Sequence, residues 1–245
     1  INYGGIIKDN IFIGDININS NIPLHGIEIE NSSNIKIGDL NNAGTFNTFK
    51  NLQNGIDIRG WGNLAGILGT NSNQIGIYNN KFEDILYPGN QPTYNFIMQD
   101  IYNSPKGSAV YIDYSTAPSF DAHTTVGYTG LTTSTTELMK NCTKAIVSKN
   151  NSLNAEKLFI MNCDFGIMNH NLMNKEVNVI DNKIDNAHIG TQLAGNYTNY
   201  NVYHNEISIN QGVEVSNAGY GMMAMMYPAI GIDIKQMNQP FIAAQ

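Results

Sequence analysis

Apolar and polar residues alternate in short bursts along this chain, and several of the bursts copy one another. Gly55-Ile56-Asp57-Ile58-Arg59 is the clearest. Gly26-Ile27-Glu28-Ile29-Glu30 precedes it; Ala109-Val110-Tyr111-Ile112-Asp113, Ala145-Ile146-Val147-Ser148-Lys149, Gly166-Ile167-Met168-Asn169-His170 and Gly212-Val213-Glu214-Val215-Ser216 follow. Each opens on a small residue and then sets apolar side chains two apart, the spacing of a strand with one buried face. The approach to the strand repeats as well. Lys140-Asn141-Cys142-Thr143-Lys144-Ala145-Ile146 reads against Met161-Asn162-Cys163-Asp164-Phe165-Gly166-Ile167, 21 residues later. A period of that size predicts a repeat architecture, in which each unit buries its apolar face against the next.

A second element has its own family. Ile75-Gly76-Ile77-Tyr78-Asn79-Asn80-Lys81-Phe82, Leu158-Phe159-Ile160-Met161-Asn162-Cys163-Asp164-Phe165, Val177-Asn178-Val179-Ile180-Asp181-Asn182-Lys183-Ile184 and Asn201-Val202-Tyr203-His204-Asn205-Glu206-Ile207 share one plan: an aliphatic strand, an Asn-containing bend, an apolar residue. Two or three short strands per turn are expected. Asn suits such a bend because it tolerates the left-handed backbone of a tight corner, and stacked Asn amides can bond from turn to turn. Asn80, Asn182 and Asn205 are the expected ladder, holding corners and binding nothing.

The run Val202-Tyr203-His204-Asn205-Glu206-Ile207 leading to Gly212-Val213-Glu214-Val215 resembles the right-handed parallel β-helix repeats of the pectate-lyase-like superfamily, and the resemblance covers roughly Ile11 to Phe241. The fold it implies is all-β: a single-stranded right-handed parallel β-helix, or solenoid, with loop insertions. One domain spanning residues 1–245 is expected, as a portion of a longer exported protein, since the chain begins at Ile1 with no basic or cleavable apolar leader. No activity is implied, because that superfamily includes lyases, hydrolases, adhesins and phage tailspikes.

Composition narrows the picture. Charged residues are only 13% and Asn makes up 38 of the 245, yet aliphatic residues are plentiful and regular, which excludes disorder. A net charge of −7 argues against a nucleic-acid surface. No run approaches the roughly 20 apolar residues of a membrane-spanning helix. Cys142 and Cys163 occupy matched positions, so two inward thiols about 4.8 Å apart are expected; a bond between them, the alternative, requires backbone movement. Met222-Met223-Ala224-Met225-Met226 is expected to pack over the end of the core. Ile230-Gly231-Ile232-Asp233-Ile234 fits either strand type.

Alternation also sorts the chemistry. With the second and fourth residues of each organising strand inward, one outward column reads Glu28, Asp57, Tyr111, Val147, Met168 and the other Glu30, Arg59, Asp113, Lys149, His170. Two insertions leave directly after copies of that strand, 60–73 with Trp61 and 114–140 with Phe120, His123 and Tyr128; a third, 86–108, leaves from elsewhere. Glu28 and Asp57 would stand about 5 Å apart, near enough to share a proton or a cation or to match a retaining glycosidase pair. Arg59 and Lys149 are suited to an acidic sugar, with Asp57 and Asp113 completing the catalytic candidates. Lys149, His170 or Tyr111 could serve as base, and Trp61 or Tyr114 could lie under a sugar ring.

In the lyases of this superfamily a basic residue abstracts the proton beside a uronate carboxyl, and a cation or basic side chain neutralises that carboxyl. The resemblance allows that chemistry, with Ca²⁺ as a cation that such a lyase could use. The paired Asp and the Gly-His-Gly strand of the hydrolases are missing. Against any site, acid and base on adjacent strands are what a solvated sheet favours, so Glu30, Arg59 and Asp113 also read as an ion-pair ladder. His25, His188 and His204 lack metal-ligand spacing, and neither a metal nor a resident cofactor is expected. The leading expectation is a secreted or cell-surface scaffold that binds glycans or mediates adhesion and whose ends are capped by neighbouring domains or subunits. A polysaccharide lyase or glycoside hydrolase acting on an acidic polysaccharide is the alternative, and a trimeric phage tailspike module a third.

Overall fold

The computed structural model describes residues 5–14, 25–32, 34–60, 73–86, 104–116, 122–196, 198–210 and 229–236. Among them are three parallel sheets of seven strands each, visited in rotation. Sheet A holds β1 (Gly5–Ile7), β4 (Ile35–Ile37), β7 (Asn73–Tyr78), β10 (Ala122–Gly127), β13 (Ser152–Glu156), β16 (Glu176–Ile180) and β19 (Asn199–Tyr203). Sheet B holds β2 (Ile11–Ile13), β5 (Asn47–Leu52), β8 (Asn80–Ile85), β11 (Met139–Lys140), β14 (Phe159–Met161), β17 (Lys183–Ala187) and β20 (Glu206–Ile209). Sheet C, the organising strand, holds β3 (His25–Glu30), β6 (Asn54–Arg59), β9 (Ser108–Asp113), β12 (Lys144–Lys149), β15 (Phe165–Asn171), β18 (Ile189–Gly195) and β21 (Ile230–Gln236). Each strand pairs with the third strand before it and the third after, which makes the molecule a right-handed parallel β-helix of three strands per turn.

The core is a set of stacked columns. Ile27, Ile56, Val110, Ile146 and Ile167 are in register on sheet C and buried. On sheet B, Phe12, Phe49 and Phe82 stack with ring centroids 4.7 Å apart at each step. The small residue that opens each organising strand has a steric reason. Gly26, Gly55, Ala109, Ala145, Gly166, Gly190 and Gly231 form one column at the entry to sheet C, where a Cβ on Gly166 would come within 2.2 Å of the Gly190 carbonyl oxygen.

Corners use left-handed residues in register. Between sheets B and C the column is Asn51, Asp84, Asn141, Asn162 and Asn186, each with φ between 51° and 59°. Asn162 Nδ2 donates to Asn141 Oδ1 (3.3 Å) and Asn186 Nδ2 to Asn162 Oδ1 (2.6 Å). Between sheets A and B, the expected ladder residues sit at the corner but in two separate runs. Asn47 Nδ2 donates to Asn80 Oδ1 (2.8 Å), and Asn182 Nδ2 donates to Asn205 Oδ1 (3.0 Å). Glu137 and Leu158 occupy the intervening positions.

Three expectations about strands change. The stretch 114–140 is not one insertion: β10 lies inside it, with Thr124 and Val126 facing inward over Ile75 and Ile77. Ile189–Gly195 is a copy of the organising strand that the sequence hides, because inward Thr191 stands where an aliphatic residue usually does. Ile230–Gln236 joins sheet C beside it, which resolves its ambiguity. The expected copy at 212–216 and the methionines at 222–226 lie outside the described residues.

Cys142 and Cys163 are buried, free thiols one turn apart, each directly following the stacked Asn141–Asn162 pair. Thiol labelling is expected to be slow for both in the native protein and fast after denaturation. Ile167→Asp places a charge in the column interior and is expected to abolish cooperative folding, since the cost exceeds a domain's stability of about 5–15 kcal/mol. Leu131→Asp, at a residue 98% exposed, is expected to melt like the wild type. Equal thermal unfolding of the two variants, followed by circular dichroism, would refute the inward register.

Candidate functional site

The two outward columns of sheet C stand in the register that alternation predicts. Glu28, Asp57, Tyr111, Val147 and Met168 are successive partners in one; Glu30, Arg59, Asp113, Lys149 and His170 are successive partners in the other. Gln192 extends the first column and bonds Asp233 Oδ2 through Nε2 (3.1 Å). This face is not the solvated surface expected of it. Asp57, Tyr111, Val147 and Met168 are all at most 1% exposed and Lys149 is 7% exposed, whereas Glu28 and Glu30 remain open. Apolar Val147 and Met168 continue the column that begins with acids, so the face is a buried layer and not a solvated one.

The charges on it are committed to one another. Arg59 does not bridge Glu30 and Asp113 as a cross-strand ladder would have it; it turns back along its own strand and grips Asp57 with a fork, Nε to Oδ1 at 3.0 Å and Nη2 to Oδ2 at 2.7 Å. Asp113 accepts from Lys149 Nζ (3.1 Å), the Tyr111 hydroxyl (2.9 Å) and the Ser115 backbone N–H (2.8 Å). Burial raises the Asp57 pKa above the ordinary carboxylate value, and Arg59 offsets only part of this. The bond to Asp57 raises the Arg59 guanidinium in turn, because Arg59 keeps contact with water and suffers less from burial. For Asp113 the balance is reversed: burial pushes it up, but the Lys149 charge and the Ser115 bonds hold it below its usual value. Burial pushes the Tyr111 phenol up, reinforced by Asp113, so it stays a hydrogen-bond donor. Burial, then the Lys149 charge, lowers the pKa of His170 and favours a neutral imidazole.

The remaining candidates divide. Tyr114 is 3% exposed, part of the apolar core, with its phenol pushed up to about 12 by burial, so it is not a platform for a sugar ring. It packs at Gly60, where a Cβ would come within 2.2 Å of its ring. Trp61 lies outside the described residues. His25, which carries no functional signal in the sequence, is brought beside the acids: ligand atoms of His25, Glu28 and Asp57 all lie within 4.8 Å of one another. The proximity of Glu28 and Asp57 is therefore real. A Ca²⁺ ion, which takes six to eight oxygen ligands, does not fit the trio well, because the Arg59 fork already engages both Asp57 oxygens. His25 escapes sequence reasoning because it precedes the glycine of its strand, outside the alternating pattern.

Removing either member of the Arg59–Asp57 pair has unequal consequences. Asp57→Ala leaves a guanidinium that is 29% exposed and free to turn to water, whereas Arg59→Ala strands a fully buried carboxylate. At pH 7 the expected costs are about 1 kcal/mol for Asp57→Ala and about 3 kcal/mol for Arg59→Ala. Because the folded-state pKa of Asp57 is raised, its ionised form costs stability at neutral pH and protonation relieves that cost. The Arg59→Ala deficit should therefore shrink as pH falls from 7 toward 3.8, the ordinary Asp value. Asp113 has the opposite sign: its contribution is present above 3.8 and is lost as pH falls through its lower folded value. Urea unfolding of both variants at pH 7 and pH 5 checks this, and an Arg59→Ala deficit that grows at pH 5 would contradict the burial of Asp57.

No protein-family model matches the chain, and neither any curated protein nor any solved structure does.

Proposed function

We propose that this chain is a structural, glycan-binding module of a secreted or cell-surface protein, allied to the pectate-lyase-like β-helices, which holds carbohydrate without cleaving it. One observation carries the reading: the basic groups that would neutralise and deprotonate an acidic sugar on sheet C are already spent, Arg59 on Asp57 and Lys149 on Asp113. Catalysis needs such groups aimed at the charge that develops in the reaction, and groups bonded to buried carboxylates must first give those bonds up. What remains is a long, rigid support with polar outer faces, the scaffold that repeat proteins use for extended binding surfaces. The outermost described turns expose Ile6, Ile11 and Ile13 at one end and Ile232 and Ile234 at the other, which supports ends covered by neighbouring domains or subunits.

A second reading, a lyase acting on an acidic polysaccharide, has one observation in its favour. His170 is half-buried, neutral in tendency, and in register with Lys149, so a base would stand beside a cation. A panel of acidic and neutral polysaccharides separates the two readings when scored both for binding and for the ultraviolet absorbance of unsaturated products. Binding without turnover is the expected result. Turnover that disappears in Lys149→Ala and His170→Ala would replace this reading with the lyase, and a panel with neither binding nor turnover would leave the module without a carbohydrate role.

A further inference from the structure

The outer face of sheet A contains a groove that sequence reasoning did not single out. It encloses about 770 Å³ and is lined by side chains of β4, β7 and β10, among them Lys36, Gln74, Tyr78, His123 and Thr125. Register explains how they meet. Lys36, Gly76 and Thr125 are consecutive partners across the three strands, and Gln74 partners His123 in the row before. Because the strands are about 4.8 Å apart, the three strands make a floor roughly 10 Å wide.

Gly76 determines the shape of the floor. A Cβ there would lie 2.4 Å from Cε2 of Tyr78, so the absence of a side chain lets the Tyr78 ring fold back along its own strand and lie across the glycine. Gly76 is buried beneath it while the ring itself stays half-exposed and lines the groove. An aromatic ring laid against a sheet offers an apolar face for the C–H side of a sugar, and amides and a hydroxyl around it offer bonds to ring hydroxyls. Gln74 and Lys36 are exposed, and neither makes a hydrogen bond or ion pair among the described residues.

Charge then narrows the occupant. The chain carries a net charge of −7, yet no carboxylate among the described residues lines this groove, while Lys36 and His123 do. We infer that the groove of sheet A, with Tyr78 as its platform and Lys36 and His123 at its sides, binds a sugar ring carrying an anionic substituent, carboxylate or sulfate. The inference rests on the glycan-binding reading above and moves the binding surface from sheet C to sheet A. It also fits the state of the two faces, since the cations of sheet C face buried acids and Lys36 makes no ion pair among the described residues.

The test is calorimetric titration of the intact chain with three tetrasaccharides: heparin-derived, bearing sulfate and carboxylate; hyaluronan, bearing carboxylate alone; and maltotetraose, which is neutral. At least one anionic probe is expected to bind and maltotetraose is not. Binding by both anionic probes assigns the site to carboxylate, and binding by the heparin fragment alone assigns it to sulfate. Tyr78→Ala and Lys36→Ala are each expected to weaken the interaction about tenfold, while Tyr78→Phe retains most of it. Gly76→Ala displaces the ring without removing it and should weaken binding as Tyr78→Ala does, with circular dichroism showing that the fold is kept. Binding that survives Tyr78→Ala and Lys36→Ala but is lost in Arg59→Ala would overturn the inference while preserving a glycan-binding module on sheet C. Equal binding of maltotetraose would overturn the anionic specificity. Absence of binding to these probes and to the wider polysaccharide panel would overturn both readings.

Discussion

Parallel stacking in register confines each side chain to a column, because every strand has the same strand one turn above and below it at about 4.8 Å. That single constraint decides what a position tolerates. A phenylalanine at position 49 is stable there because Phe12 and Phe82 present parallel rings on either side, tilted by only 8° and 13°. The column of small residues at the entry to sheet C follows the same logic: at Gly26, Gly55, Gly166 and Gly190 a Cβ would meet the carbonyl oxygen of the next turn together with core side chains such as Phe49 and Phe82. Burial comes from repetition, and each turn contributes an interface to its neighbours in the manner of other solenoids.

Corners carry a second cost of repetition. A chain that turns three times per revolution must leave extended geometry at each bend, and a left-handed residue makes the bend in one step. Among the described residues, those with positive φ other than glycine are mostly Asn, including Asn31, Asn51, Asn79, Asn141, Asn162 and Asn186. Left-handed corners among the described residues thus use eight asparagines, and bonds between turns use others such as Asn47, Asn80, Asn182 and Asn205. The corner of Lys157 (φ 58°) shows that the column imposes the conformation even where the residue has no preference for it. The amides then do a second job, since those in register bond from turn to turn and satisfy groups that a bend would leave unpaired.

The legibility of the sequence follows from these two rules. Alternation in Gly26-Ile27-Glu28-Ile29-Glu30 and Gly55-Ile56-Asp57-Ile58-Arg59 revealed strand, buried face and outward columns, because a column repeats the same side-chain requirement at each turn. It failed where a polar residue points inward. Thr191 concealed β18, and Thr124 helped to conceal β10; Thr124 Oγ1 donates to Asn151 Oδ1 (3.2 Å) in a buried polar corner that also includes Ser148, Asn169 and Asn171. Hydropathy cannot distinguish such a residue from one in water: Thr124 is kept inside by a partner from the next turn, and Thr191 by its place in register over Ile167. The same limit applied to the candidate site. Outward direction was readable, but exposure was not, and Asp57 proved to be both outward on its sheet and fully buried.

That difference separates the three faces in how far their charges are paired. On sheet C the charges are covered and pair internally, so the layer contributes order and leaves little to offer a ligand. On sheet B the lysines are engaged too: Lys50 with Glu83, Lys81 over the Phe46 ring and Lys183 over the Phe159 ring. Sheet A carries an uncharged amide row farther along, where Asn201 donates to Asn178, and beside it a groove whose lysine and glutamine are committed to nothing among the described residues. A ligand that binds a rigid scaffold gains most where it need not displace existing bonds, since each displaced bond subtracts from what the new contact returns. On that ground the proposed site falls in the groove of sheet A, where Lys36 and Gln74 make no bond among the described residues, and not on the face with the most charge.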